Sequence, residues 1–315
     1  MTTLLRAMWS ASPALTAVGF LLLSLTPVLG LAMVLDSRTI LGAPAWLKPA
    51  KFAVSTGVFC LTMAAILVWL PAWRRLRAVA GWATALVFVV EVAIITAQAW
   101  RGITSHFNVA TPLDGALFAV MGVAILLQTL MTVAVAVALF RTAIGDRAFG
   151  WALRLGLVLS IVGASTGGLM TTPTDEQLAA ARAGAPITVA GAHTVGAPDG
   201  GPGLPGTGWS TAHGDLRVPH FVGLHAVQVL PLIALLLARR RLDATMRLRL
   251  VVGAAISYTA LFGILLTQAL RGQPLVAPDA LTSAALVVWA VVTMGGARLI
   301  ARGSRRGDIA ATVAV

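Results

Sequence analysis

One cysteine stands in the 315 residues, Cys60, inside an apolar run. An intrachain disulfide is therefore excluded, and a redox pair would need a second chain. The residue reads as a small buried apolar side chain. Charge is scarce as well: Asp, Glu, Lys and Arg make up 11% of the chain against 58% hydrophobic residues, and mean hydropathy is +0.90. An ordinary soluble domain is about one quarter charged, so lipid is the expected solvent. The alternating ten-residue segments of a closed β-barrel are missing too, which leaves helices as the spanning element.

What charge there is leans cationic, with 23 Lys and Arg against 11 Asp and Glu and a formal charge of +12. Nucleic acid is not the expected partner. The cations sit in short segments between apolar runs, where they orient helices against anionic lipid. A spanning helix needs about 20 mostly apolar residues, and that template fits eight segments, 14–35, 49–70, 78–100, 112–140, 149–170, 219–238, 249–270 and 279–300. The chain reads as an all-α integral membrane protein with eight transmembrane helices and a lipid bilayer as its partner. The first run exceeds the length of a signal-peptide core, so it reads as a retained helix, with cleavage near Ala32 as the alternative.

Orientation follows from the arginines. Arg6, Arg74, Arg75, Arg77, Arg141, Arg147, Arg239, Arg240, Arg241, Arg247, Arg249, Arg302, Arg305 and Arg306 fall on one side of the eight runs. Arg38, Lys48, Lys51, Arg101, Arg182, Arg217 and Arg271 fall on the other. The positive-inside rule places both termini in the cytoplasm of a multi-pass protein of the inner (plasma) membrane. The one long connection, Thr171 to Val218, then lies outside. It is rich in Gly and Pro, which favours irregular backbone. Thr174 to Gln177 has the spacing of a capping box, and Gly184 is placed to end the short surface helix that would follow. A linker and a lid over the outer face are both open for this segment.

An internal echo divides the chain. Gln98 Ala99 Trp100 Arg101 Gly102, then Pro112 and Asp114, recurs as Gln268 Ala269 Leu270 Arg271 Gly272, then Pro278 and Asp279. Lys48 Pro49 Ala50 Lys51 Phe52 likewise resembles Arg217 Val218 Pro219 His220 Phe221. These matches predict two four-helix halves, residues 1–148 and 149–315, as a 4+4 parallel repeat related by an axis along the membrane normal. Pro49, Pro112, Pro219 and Pro278 are expected at the first position of the four helices that descend from the outer side.

All five histidines fall on that outer side. The densest polar patch beside the membrane runs from His213 to Gln228. His220 and His225 are five apart, about 140° around a helix, so they are not a one-face pair. His225 and Gln228 do share a face. Imidazole suits haem iron or a transition metal, and Asp215 or Gln228 is placed to hold a second ring nitrogen. The candidate metal ligands are His220 and His225, with His106 and His213 as alternates. Lys51, Arg101, Arg217 and Gln228 are the candidate ligand- and anion-binding residues. Asp114 reads instead as part of a helix cap with Thr111.

Glu91 is the one acidic residue within the bilayer proper, and an isolated carboxylate there is costly. Lys51 and Gln98 are its candidate partners. Gln98, Gln128, Gln228 and Gln268 are expected to hydrogen-bond between helices. Polar residues crowd the outer leaflet, which favours a one-sided pocket of His and Arg that binds haem or a transition metal, in the manner of a membrane oxidoreductase. The alternatives are a proton-coupled small-solute transporter using Glu91 and a non-catalytic membrane subunit. A small anionic or membrane-associated ligand fits the first two, and an oligomer is open.

Overall fold

The computed structural model describes residues 3–313, with side chains described as far as Ala301. Arg302, Arg305 and Arg306, counted above among the cytoplasmic cations, lie outside the described side chains. The described chain is helical, with eight helices long and apolar enough to cross a membrane. In chain order these are α2 (Pro13–Leu35), α3 (Leu47–Leu67), α4 (Arg74–Trp100), α5 (Pro112–Phe140), α6 (Arg147–Met170), α8 (Arg217–Ala238), α9 (Ala244–Leu270) and α10 (Ala280–Val313). Two short helices complete the set, α1 (Thr3–Ala11) and α7 (Asp175–Arg182). β1 (Thr39–Ile40) and β2 (Ala43–Pro44) form a two-residue hairpin, and β3 (Thr194–Val195) pairs with β4 (Gly214–Asp215), both antiparallel.

The apolar runs predicted all eight long helices, and most of the differences lie at their ends. Several helices start two to five residues earlier than the apolar runs because their first turns carry Arg, as in Arg74–Trp100 and Arg147–Met170. Arginine is a good helix former whose stem lies along apolar surface. The short helix α1, with one stripe of buried residues at Met8 and Ala11, was not anticipated because nine residues are too few for a spanning pattern.

Proline placement differs from expectation. Pro112 opens α5 behind the Thr111 cap, but Pro49 and Pro219 are third in α3 and α8, and Pro278 precedes α10. All positions in the first turn lack an intrahelical partner for their N–H, so proline is tolerated throughout it. At α10 the cap is Asp279, whose carboxylate accepts the Thr282 amide at 2.8 Å.

Small residues set the closest helix contacts, as expected where lipid replaces water. α6 packs most extensively on α8, and α2 on α3. A Cβ added at Gly163 would strike the Gly223 backbone, and one at Gly156 would meet the Ala226 carbonyl oxygen at 2.8 Å. On α2 and α3, Gly19 and Gly57 face each other's carbonyls at 3.2 and 3.1 Å by the same measure. α10 lies at the edge on α9, fastened by Trp289 Nε1 donating to the Ser257 carbonyl at 2.8 Å.

The two echoes fold as clasps. Arg101 reaches Asp114 at 2.6 Å and Gln98 reaches it at 3.0 Å, so the end of α4 is tied to the start of α5. Arg271 reaches Asp279 at 2.5 Å, tying α9 to α10 in the same way. Gln268 instead donates to the Pro274 carbonyl inside the turn, so it is not the interhelical bonder expected, whereas Gln128 meets Thr84 at 2.7 Å and Gln228 meets Thr62 at 3.2 Å. Arg154 donates to the Leu139 and Thr142 carbonyls and so satisfies the C-terminal end of α5.

Gly163→Leu is predicted to force α6 and α8 apart at a cost of about 2–3 kcal/mol or more. Gly168→Ala, which meets open space, is predicted to leave the unfolding midpoint of the purified protein unchanged or slightly raised. Equal midpoints for Gly163→Leu and the wild type would contradict this packing.

Candidate functional site

The long connection between α6 and α8 is a folded cap over one end of the bundle. Its first segment holds the capping box of α7: the Gln177 amide donates to Thr174 Oγ1, and the Gln177 side chain accepts from the Thr174 amide. Gly184 follows at φ +84°, as its position after the helix required. The same Gln177 then binds both sides of the Gly191 peptide at 3.0 Å. Main-chain bonds stitch the cap to the α4–α5 connection, with the Val109 amide donating to Thr188 and the Ala190 amide to Phe107.

Two carboxylates organise the rest of the cap. Asp199 accepts the Thr194 amide at 2.8 Å, the His193 amide at 3.0 Å and His193 Nδ1 at 2.6 Å. Burial would raise its proton affinity, but these donors outweigh it and hold the carboxyl well below the usual carboxylate range. Burial also lowers the proton affinity of His193, only partly offset by Asp199. With Nδ1 donating to the Asp199 carboxylate, the neutral form of the ring keeps Nε2 as an acceptor. Asp215 accepts the Ser210 amide at 2.7 Å and pairs with Arg217 at 2.5 Å. Arg217 also donates to the Gly208 carbonyl at 2.7 Å, and Lys51 Nζ to the Thr207 carbonyl at 2.5 Å. Helices α3 and α8 thus hold the cap down with cations near their starts.

Between the cap and the helices lies a cavity of about 150 Å³. Its polar wall is Lys48, Lys51, Ser105, His193, Asp199 and Arg217. The other wall is apolar and includes Ile40, Phe52, Ile95 and Ile103. Lys48, half-buried, makes no hydrogen bond or ion pair among the described residues. Behind the wall, Ser105 Oγ stands 3.2 Å from His106 Nδ1, and His106 Nε2 stands 3.5 Å from Glu91 Oε1. Glu91 is 1% exposed, and neither carboxyl oxygen has a hydrogen-bond partner among the described residues. Burial, then the charges of Lys48, His193 and His220, lower the proton affinity of His106 well below that of an ordinary histidine.

The sequence-derived candidates divide into those at the chamber and those elsewhere. Lys51 and Arg217 line it, and His106 lies just behind it. Arg101 is committed to Asp114, outside the lining. His220 turns to α6, with Nδ1 at 2.9 Å from the Gly163 carbonyl and 3.1 Å from Thr166 Oγ1. His225 contacts Gln228 at 3.2 Å and packs on Phe221, so the two helix histidines face different neighbours. His213 lies in the cap with its amide on Ser210 Oγ. Asp215 serves Arg217 rather than a histidine. Glu91 has neither expected partner, because Lys51 binds the cap and Gln98 binds Asp114; it stands beside His106 and feels the charge of Lys48 through space. Among the described residues no three His, Cys, Asp or Glu side chains converge as a ready-made metal site.

Sequence reading counts Lys48 among the outer cations and His193 among the outer histidines without a site role for either, and it passes over Asp199 and Ser105. Only Lys48 carried a local signal, as a cation in the first turn of an apolar helix. Compared with protein-family models, curated proteins and solved structures, the chain matches none. Fold and site together define a polytopic helical membrane protein with a capped polar chamber at one end.

Asp199→Ala is predicted to increase hydrogen exchange at the His193 and Thr194 amides about tenfold, the worth of roughly one such bond. In the wild type, the stabilisation from this depressed carboxyl is full above about pH 4, the unfolded value. It is lost as pH falls below that through the lower folded value. Exchange that is unchanged by the substitution would show that Asp199 does not hold the cap.

Proposed function

We propose that the chain is a multi-pass protein of the inner (plasma) membrane, with both termini cytoplasmic, whose capped chamber opens outward and binds a small ligand bearing a carboxylate or phosphate group. Lys48 carries this reading. Its half-buried ammonium makes no hydrogen bond or ion pair among the described residues, and an anion at the chamber would supply one and offset the loss of water around it. Arg217 and Lys51 stand beside it as further donors, and His193 Nε2 is an acceptor for a proton on the ligand. The free Nε2, backed by Asp199, is also the nitrogen best arranged for a transition metal or haem. We rank that reading second to an anion, because His220 and His225 face apart and no third donor converges with His193.

A duplicated four-helix unit, residues 1–148 and 149–315, underlies this architecture in our reading. The matched α2–α3 and α6–α8 packing and the paired Arg–Asp clasps support it. A further functional reading, proton-coupled transport of the ligand, is favoured by Glu91. Ser105 on the chamber wall, His106 and Glu91 form a chain of proton-carrying groups from the ligand site to a buried carboxyl.

Calorimetric titration with acetate and phosphate is predicted to show binding to the purified protein. Lys48→Gln should weaken it at least about tenfold, the loss of one charged hydrogen bond. No binding of either anion by the wild type would overturn the anion reading. In proteoliposomes, Glu91→Gln is predicted to abolish pH-dependent anion uptake while leaving binding intact; uptake that survives would remove the coupling.

A further inference from the structure

The two walls of the chamber differ in chemistry and in depth. α3 starts at the capped end, so Lys48 lies nearest the cap and Phe52, four residues on, lies one helical turn, about 6 Å, deeper on the same face. α4 runs the other way and finishes at the capped end. Ile95 is therefore deep and Ala99 one turn shallower, both on the chamber side. Lys51 and Arg217, each bonded to a cap carbonyl, share the upper level with Lys48. The cations thus sit under the cap, with Ile40 and Ile103 of the connections at the same end, and Phe52 and Ile95 form the floor.

A fully hydrophilic anion would satisfy the upper level and leave the floor against water. An apolar molecule would cover the floor and leave Lys48 unpaired. We infer that the ligand of this chamber is an amphiphilic anion, a carboxylate or phosphate head with a short unbranched apolar tail, bound head toward the cap and tail toward the bilayer. This rests on the anion reading above and adds the tail. The head is fixed by Lys48, and the tail is selected by apolar area removed from water. The cavity of about 150 Å³ limits the tail to a few carbons beyond the head.

The test is titration of the full chain in lipid nanodiscs with straight-chain carboxylates from acetate to octanoate, with empty nanodiscs subtracting partition into lipid. Affinity is expected to rise about fourfold per added methylene over the first members, the value of a buried CH₂, and then to level off. Lys48→Gln should weaken every member by a similar factor. Ile95→Trp, which fills the deep tail region, should weaken the longer members and spare acetate. Ile95→Ala, which enlarges it, should move the optimum to a longer chain and keeps the test decisive if Ile95→Trp does not fold. Binding of acetate and phosphate with no dependence on chain length, or an optimum unmoved by Ile95→Ala, overturns the amphiphile and leaves the anion reading standing. Failure of the wild type to bind any member overturns both.

Discussion

A charge held where water is scarce needs a partner, and that constraint shapes most of this molecule. Arg154 spends its guanidinium on the carbonyls that end α5. Arg101 and Arg271 meet the aspartates that open the following helices, Arg217 meets Asp215, and Arg247 meets Asp146. Each pairing also fixes a junction between elements, so neutralising the charge and setting the geometry are one event. Against this background Lys48 and Glu91 stand apart. The ammonium has no hydrogen bond or ion pair among the described residues, the carboxyl has no hydrogen bond, and the two act on each other through space.

The helix packing makes that place possible. Gly163 against Gly223 and Gly19 against Gly57 bring pairs of backbones together, so α3 and α8 enter the bundle close to their preceding helices. Their first two turns then project Lys48, Lys51 and Arg217 toward a common space instead of toward lipid. The cap completes the enclosure through the Asp199 and Asp215 hubs. Backbone amides gathered on these two carboxylates order its second half, and main-chain bonds to Phe107, Val109 and Met170 fasten its first.

How much of this was legible beforehand depended on the range of each interaction. Apolar runs are local, so the eight long helices could be read directly. Helix caps are local too, and Thr111, Thr174 and Gly184 did what their spacing required. The starts of α4 and α6 lie ahead of their apolar runs because arginine in a first turn looks polar to a hydropathy pattern yet continues the helix. The site was only half legible. Lys51 and Arg217 were visible as cations beside apolar runs, but the partner of Glu91 was not. His106 reaches it by a fold of the α4–α5 connection that no spacing encodes. The composition of residues 171–218 correctly signalled irregular backbone and concealed its order, since the His193–Asp199 pair is made by tertiary folding.

The account rests on a chamber that faces outward and takes an anion under its cap. Gly201 lines that chamber in open space, and Cys60 is fully buried. A Gly201→Cys, Cys60→Ala chain in intact cells, treated with a membrane-impermeant maleimide, measures both properties at once. Labelling from outside that slows when a short-chain carboxylate is added is the predicted result. Labelling only in inverted vesicles, or at a rate indifferent to the carboxylate, would contradict the account.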